Sequence, residues 1–474
     1  MGKCNQSNEI KQRKRKLVKY YFFTSIALLL LQLDFTIAQT DSINIPDVYV
    51  KRILISGNEK TNEQVIMREL STKEGELLDI RKLESDVNRL YNLGLFTKIE
   101  VQPVPVSIDS IIILFDFSES FYLLPIPQGG IKENSFKKLW GGLNIVHNNF
   151  RGMNEKLGLS FGIGYDPFVK AYYKNPWIGD SSRYSFEVSI GYSRTNKRYI
   201  DSVAEIKESK IEDLPLYKLD QFQSDLSISR YFSKNLSVSF GAGFFVYNTG
   251  ISGIAGLTGS ADGKDRFVNL NGTVNYDTRD IQNYPNQGAL YNLKIVKYGL
   301  FTKSVDFVRI NSEYKRYFQL PLFSEFNVNW AWKFSSSVSF GGSIPEYLKL
   351  DLGQSEEIRG WKDLYFSEES RLVMSSELRF PIVKPSYIDG NKLPVIRNLP
   401  VLKDFSYRYG LFFTLFFDSG TVWSRGTKIS DFVFRNGYGL GLNVILPFNF
   451  IGRIDFGWRN KSNANIFLSL DAAF

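Results

Sequence analysis

Two side-chain periodicities within one chain predict an all-β transmembrane barrel of about 16 antiparallel strands, preceded by one small α+β domain of order β-α-α-β-β. From about residue 119 to the C-terminus, segments of about ten residues alternate large apolar side chains with glycine, serine or charge. Ahead of them, between residues 61 and 94, apolar residues recur at helical spacing instead. Beyond residue 38 no apolar run reaches the roughly twenty residues of a membrane-spanning helix, so a membrane-embedded chain must cross with strands.

The chain opens on a basic stretch, Lys11, Arg13, Lys14, Arg15, Lys16 and Lys19, followed by an apolar run over 20–31 and a small-residue site at Thr36-Ile37-Ala38. This order predicts a signal peptide over 1–38, removed before Gln39. Taken as a membrane anchor instead, the run is about twelve residues long, well short of a span. Removal takes away seven basic and two acidic residues, so the formal charge of +9 becomes +4. That balance does not point to nucleic-acid binding. Cys4, the single cysteine, leaves with the signal, which excludes disulfides and thiol chemistry from the remainder.

The small domain is expected over 39–118. Val48 to Ile55 reads as a strand, and Ser56-Gly57-Asn58 as a turn. Thr61 and Asn62 are placed to cap a helix containing Val65, Ile66, Met67 and Leu70, and Gly75 breaks the chain after it. Leu83, Val87, Leu90 and Leu93 then line one face of a second helix closed by Gly94, with strands to follow at 96–104 and 108–117. Ile53, Gly57, Asn58, Thr61, Arg68-Glu69-Leu70, Gly75 and Leu90 to Phe96, with Gly94-Leu95-Phe96 at its end, resemble the pattern of a POTRA (polypeptide-transport-associated) domain along its whole length. In that pattern the glycine ends the helix and the phenylalanine fills the core at the return to the sheet.

The barrel is expected over 119–474. In 184–192, Tyr184, Phe186, Val188, Ile190 and Tyr192 share one face, and Ser185, Glu187, Ser189 and Gly191 the other; 157–165, 236–244 and 438–446 repeat the pattern. A soluble sandwich also alternates, but it needs large as well as small side chains inside. A second face of glycine, serine and charge suits a wet lumen, with the apolar face on lipid. Tyr172, Tyr173, Trp177, Trp330, Trp332, Trp423 and Trp458, near strand ends, suit interfacial girdles. Counting back from 465–474 to 119–128 yields sixteen strands, and an even number returns both barrel ends to the side of the small domain. Turns at 233–235 and 447–449 are short, whereas 195–216, 250–264 and 340–370 are long. One connection, at 384–403, is long on the side where turns should be short.

Six barrel segments carry motifs: Asn149-Phe150-Arg151-Gly152 with Glu155; Asn175-Pro176-Trp177; Asp277-Thr278-Arg279-Asp280 with Tyr284-Pro285 and Gly288; Ile358-Arg359-Gly360-Trp361; Glu377-Leu378-Arg379-Phe380-Pro381; and Phe416-Phe417-Asp418-Ser419-Gly420. With the POTRA pattern, they resemble the BamA/TamA superfamily of outer-membrane assembly and translocation barrels over nearly all of the chain after the signal. Trp361 stands where that pattern usually has a different aromatic. The resemblance implies that the loop at 340–370 folds into the barrel and that Arg359 pairs with Glu377 and Asp418. Elementary chemistry agrees, because a guanidinium withdrawn from bulk water needs hydrogen-bonded acceptors and two carboxylates suit its planar fork. Gly360 permits a tight turn beside it. The last strand alternates down to Phe474, resembling the C-terminal signal by which barrel proteins are recognised for insertion.

The function so implied is insertion or translocation of polypeptides at the outer membrane of a Gram-negative-type bacterium. The POTRA domain would lie in the periplasm and receive unfolded outer-membrane or secreted chains, by adding a strand to its sheet edge. Periplasmic or lipoprotein accessory subunits are further expected partners. A seam between first and last strands would pass the clients, weakened by Pro125 and Pro127, which cannot donate ladder hydrogen bonds. A dedicated secretion pore for one exported protein is the alternative within the family, and a passive channel or structural surface barrel the alternative outside it. No enzymatic activity, metal or cofactor is expected: His147 is the only histidine and lies within a strand, and no metal-ligand cluster or phosphate-binding glycine loop is present.

Overall fold

The computed structural model describes residues 48–132, 136–179, 183–198, 215–254, 256–323, 326–353, 358–361, 364–394, 396–398, 406–446, 450–459 and 464–469. The expected signal at 1–38, the turn at 447–449 and Phe474 lie outside the described residues.

The small domain follows the expected order: β1 (Tyr49–Ser56), α1 (Glu63–Met67), α2 (Ile80–Asn92), β2 (Phe96–Ser107) and β3 (Ser110–Glu119). The central strand β3 runs parallel to β1 and antiparallel to β2. Its core is Val50, Val65, Ile66, Leu90, Leu95, Phe96, Ile113, Phe115 and Phe117, each buried and each contributing about 1.5–3 kcal/mol of apolar burial. Phe96 lies against Phe117 with ring centroids 4.4 Å apart, which makes it the core plug the sequence suggested. Gly57 turns with φ +78, and a side chain there would put its β-carbon 2.0 Å from the Phe117 carbonyl oxygen. Asn62 caps α1, its side chain accepting from the Gln64 N–H at 2.9 Å, and Asp79 caps α2 by accepting from Lys82 N–H at 3.1 Å. Thr61 is not a cap; it is committed elsewhere, as described below. Asp86 is fully buried and accepts from the Ser71 and Thr72 N–H groups, at 2.8 Å each, while pairing with Arg89.

Sixteen strands form the second sheet, the expected number, and each of the six segments singled out in the sequence, at 119–128, 157–165, 184–192, 236–244, 438–446 and 465–474, overlaps one of these strands. They are β4 (Leu123–Ile131), β5 (Leu139–Phe150), β6 (Glu155–Gly164), β7 (Phe168–Ile178), β8 (Tyr184–Arg198), β9 (Leu216–Tyr231), β10 (Leu236–Asn248) and β11 (Lys264–Asp277). The sheet continues with β12 (Gly288–Leu300), β13 (Phe307–Phe323) and β14 (Phe326–Gly341). The loop after β14 holds a small hairpin of its own, β15 (Leu350–Leu352) with β16 (Phe366–Glu368), so β14 pairs directly with β17 (Ser370–Asp389). Next come β18 (Ser406–Trp423), β19 (Arg435–Ile445), β20 (Ile451–Trp458) and β21 (Ala464–Ser469). The first strand starts at Leu123 because Glu119 closes the small sheet, its carboxylate accepting from Thr61 N–H at 2.7 Å. No helix among the described residues is long and apolar enough to cross a membrane.

The alternation sorts the two faces as the fold class requires. Leu157, Leu159, Phe161 and Ile163 of β6 are exposed on the outer, lipid-facing side, while Lys156 and Ser160 point inward. Tyr284, between β11 and β12, packs on Phe412 of β18, Ile445 of β19 and Ile451 of β20, contacts possible only if the sheet curls around a lumen.

The small domain is seated on one rim of this barrel. Thr61 Oγ1 is 2.8 Å from the Tyr122 hydroxyl and accepts from Asn149 Nδ2 at 3.0 Å, and Asn62 N–H donates to the Gly152 carbonyl at 2.9 Å. Asn92 donates to the Asp280 carbonyl at 3.0 Å and accepts from Gln282 N–H at 3.0 Å. Arg68 lies 5.3 Å over the Trp177 ring, and Lys234 donates to the Glu69 carbonyl. The long connection at 384–403 also has a structural reason. β17 and β18 continue as a hairpin stem, Asp389 pairing with Ser406, and Arg408 on that stem lies 5.9 Å from the Tyr91 ring of the small domain.

Partial desolvation where Lys234 meets the small domain pushes its ammonium down from its ordinary 10.5 to about 8, with the neighbouring Arg89 adding to the effect. The docked state therefore holds fewer protons than the undocked state between pH 8 and 10.5, and raising the pH through this window strengthens docking. A distance measurement between spin labels on α2 and the barrel rim will show the docked fraction rising across that window, and Lys234→Gln will flatten the rise.

Candidate functional site

The loop between β14 and β17 brings its tip, Ile358-Arg359-Gly360-Trp361, into the lumen wall. Arg359 is 3 % exposed, so its charge is answered by protein groups rather than by bulk water. Its fork is bidentate on Asp418, with Nε to Oδ2 at 2.7 Å and Nη2 to Oδ1 at 2.9 Å, and its own backbone N–H donates to Asp418 Oδ2 at 3.2 Å. Nη1 donates to Glu377 Oε2 at 3.0 Å and to Asp455 Oδ2 at 3.2 Å. The guanidinium carbon lies 3.5 Å from the centroid of the Phe416 ring, so the flat cation is packed as well as paired.

Two more arginines complete the cluster. Arg379 is fully buried and donates Nε to Glu377 Oε1 at 2.8 Å, and Arg453 lies 3.1 Å from Asp455 Oδ2. Three guanidinium groups thus face three carboxylates, on strands β17, β18 and β20 and on the loop. Leaving one member of such a buried set without its partner costs on the order of 3–5 kcal/mol.

A track of glycines admits the loop backbone. A β-carbon on Gly437 would stand 1.8 Å from the Arg359 carbonyl oxygen, and one on Gly457 would stand 2.8 Å from Gly360 N. Gly360 has φ +102 and passes so close to β20 that its β-carbon would be 2.7 Å from the Trp458 carbonyl carbon. Gly420 leaves room for the Ile358 side chain, which is buried with Leu352, Leu364, Phe366 and Val373. Trp361 donates Nε1 to the Asn436 carbonyl at 2.8 Å.

The turn motif lies at the opposite, POTRA-facing end. Arg279 is bidentate on Asp277, at 2.9 and 2.8 Å. Asp280 accepts from Asn286 N–H at 3.0 Å, Thr278 Oγ1 accepts from Ala289 N–H at 3.0 Å, and Gly288 (φ +103) lets the Thr278 carbonyl approach. Tyr284 and Pro285 point this turn toward the arginine cluster. Arg379 stacks 4.3 Å from the Tyr284 ring and its Nη1 lies 3.4 Å from the Pro285 carbonyl, while Asn443 Nδ2 bridges the Tyr284 hydroxyl at 3.0 Å and Glu377 Oε1 at 3.4 Å. Pro381 sits where the β17–β18 register shifts, a position that tolerates its missing N–H.

In the POTRA motif, Asn58 Nδ2 donates to the Thr61 carbonyl at 3.1 Å, and Gly94 (φ +69) ends α2 ahead of the buried Leu95 and Phe96. The motif around Arg151 closes on Glu155, which also accepts from Tyr173 and Asn175. His147 packs beside Tyr122 and Phe150, and no cluster of three metal-ligating side chains exists among the described residues.

Sequence reasoning named Glu377 and Asp418 but missed Asp455, Arg453, Asn443 and the glycine track. Strand parity signals Asp455, because Ile454 and Phe456 face outward and the residue between them must face the lumen.

Gly437→Ala will force the loop off the wall. Expected are faster protease cleavage between 342 and 369 and an unchanged fold of the barrel, measured by resistance of the folded band to unheated denaturing electrophoresis. Arg359→Lys, which cannot reproduce the fork, will loosen the same loop; a lysine variant as protected as the parent contradicts the geometry described above.

Comparison with known proteins places this architecture. A family model for the Omp85 superfamily domain matches residues 149–467, and a POTRA model, surface antigen variable number repeat, matches 48–120. Outer envelope protein 80, chloroplastic, of Oryza sativa subsp. japonica is 30% identical over 143 residues, 29% of this chain and 22% of that protein. Outer membrane protein assembly factor BamA of Nitratidesulfovibrio vulgaris is 33% identical over 58 residues, 12% of this chain and 7% of that protein. These matches span about a fifth or less of the relatives' own length. Among solved structures, CdiB from Escherichia coli aligns with a TM-score of 0.51 at 12% identity, over 98% of this chain and 96% of that one. CdiB from Acinetobacter baumannii aligns at 0.50 and 13% identity, over 90% and 72%, which likewise concerns the fold. With a POTRA match ahead of a barrel match that alone spans more than half its length, the chain belongs to the Omp85 superfamily.

Proposed function

We propose that the protein inserts polypeptides into the bacterial outer membrane or passes them across it, with the POTRA domain on the periplasmic side. Family membership supports this reading, and one relative carries the name of an outer-membrane assembly factor. The observation that carries it is the buried cluster around Arg359, which holds a long loop inside the lumen. A passive diffusion pore needs neither this cluster nor a docked POTRA domain.

Client strands are handed on at the seam between β4 and β21, the terminal strands of the sheet. Asn148 N–H donates to the Tyr122 carbonyl at 2.9 Å, so in the β4–β5 register the even-numbered residues of β4 bond to β5. Pro125 and Pro127 have the opposite parity, and their missing donors fall on the seam edge. The β4–β5 ladder loses nothing, while the seam loses two N–H groups.

Strand addition to the POTRA sheet is less well supported by its edges. The open side of β1 is occupied, Val50 N–H donating to the Glu76 carbonyl at 2.9 Å and Ile53 N–H to Glu74 Oε1 at 2.9 Å. On β2 the ladder to β3 runs on through Pro103 and Pro105, so their missing donors face the open edge.

Depletion in the native host tests the function. General loss of outer-membrane proteins is expected for an assembly component, loss of a single exported protein for a dedicated secretion pore, and normal levels of both sink the reading. Cysteine pairs locking 123–131 to 464–469 are expected to abolish activity, and full activity of a locked seam contradicts the hand-over described here.

A further inference from the structure

Between the POTRA helices and the wall formed by β6 to β12 lies a chamber of about 910 Å³, at the upper end of the roughly 300–1,000 Å³ typical of ligand sites. Nine basic and four acidic side chains line it, a concentration of positive charge in one chamber of a chain whose formal net charge is +9 over all 474 residues. Part of that charge is answered locally, Arg279 by Asp277 at 2.8 Å, Lys174 by Glu187 at 3.5 Å and Arg68 by Glu69 at 3.7 Å. The side chains of Lys156, Lys170 and Lys294 make no hydrogen bond and no ion pair within 4.0 Å among the described residues; the opposing charges that act on them, Glu187 on Lys156 and Asp225 on the other two, do so only at longer range. Asp225, the acidic wall residue near Lys170 and Lys294, makes no ion pair with either.

We infer that this chamber is a binding site for carboxylate-bearing polypeptide, an acidic segment of a client chain held on Lys156, Lys170 and Lys294. Three ammonium groups on flexible stems, spread over two neighbouring strands and a third across the chamber, suit a series of mobile carboxylates better than one fixed anion. The wall between them is hydroxyl and amide, with Ser189, Ser227, Ser239, Asn271, Thr273 and Asn292 able to bond a peptide backbone. Apolar side chains are a minority of the lining, Leu93, Trp177 and Leu226 among them, which suits a peptide better than the acyl chains of an anionic lipid. That the ligand is a polypeptide rests on the function proposed above; the preference for acid rests on the chamber alone.

The test uses the full-length protein in detergent micelles and a fluorescein-labelled hexaglutamate peptide, followed by anisotropy. Hexaglutamate binds, more weakly as salt is raised, and a hexalysine peptide does not. The triple variant Lys156→Gln, Lys170→Gln and Lys294→Gln binds about tenfold more weakly, the loss expected for three solvent-screened pairs. The matching triple arginine variant keeps the affinity, which separates charge from misfolding. Equal hexaglutamate binding by the glutamine variant, no binding by the parent, or equal binding of hexalysine overturns the proposal. Inorganic triphosphate bound in place of hexaglutamate overturns it too, in favour of a phosphate or lipid-headgroup site. If depletion leaves client levels normal while hexaglutamate still binds, the assembly reading falls and the acidic-peptide chamber stands; the opposite pattern removes the chamber alone.

Discussion

A guanidinium taken out of bulk water sets the terms for this barrel. Arg359 at the tip of a long loop has to find hydrogen-bonded negative charge, and it finds it on three separate strands of the wall. Arg379 and Arg453 bring the cluster to charge balance, so no carboxylate in it is left facing the low-dielectric wall without a cation. Charge alone would not seat the loop. The backbone reaches its carboxylates only because Gly437 and Gly457 present no side chain where the loop passes. The cluster and the glycine track are two halves of one constraint.

From this cluster a chain of contacts runs to the other end of the molecule. Glu377 holds both Arg359 and Arg379, Arg379 packs on Tyr284 and reaches the Pro285 carbonyl, and the same turn receives Asn92 of the POTRA domain through Asp280 and Gln282. The inward loop and the docked POTRA domain are therefore linked through one turn. Around this axis the remaining lumen stays open enough to form the basic chamber, whose floor is the POTRA domain itself.

Much of this was legible in the amino-acid sequence. Period-two alternation is a local property of each segment, so the strands could be located without knowing their partners. Glu377 and Asp418 came from resemblance to known motifs rather than from spacing. Asp455 was available from parity, yet a lone aspartate between Ile454 and Phe456 carries no sign of what it faces. Contacts between the domains were the least visible. Thr61 looks like a helix cap, whereas its hydroxyl is spent on Tyr122 and Asn149, and the stem flanking 384–403 shows its role only where Arg408 meets the Tyr91 ring. The change to period-two alternation falls near Glu119, which closes the small sheet, so the first barrel strand reads from 119 in the sequence but begins at Leu123.

The three carboxylates act on the loop through Arg359. Amide hydrogen exchange over 358–361 in Arg359→Ala, Asp455→Ala and the double variant forms a cycle that tests it. Exchange is expected to be faster in each single variant and to change little further in the double, a coupling of about 1 kcal/mol or more. Additive effects, or exchange unchanged by Asp455→Ala, would contradict it.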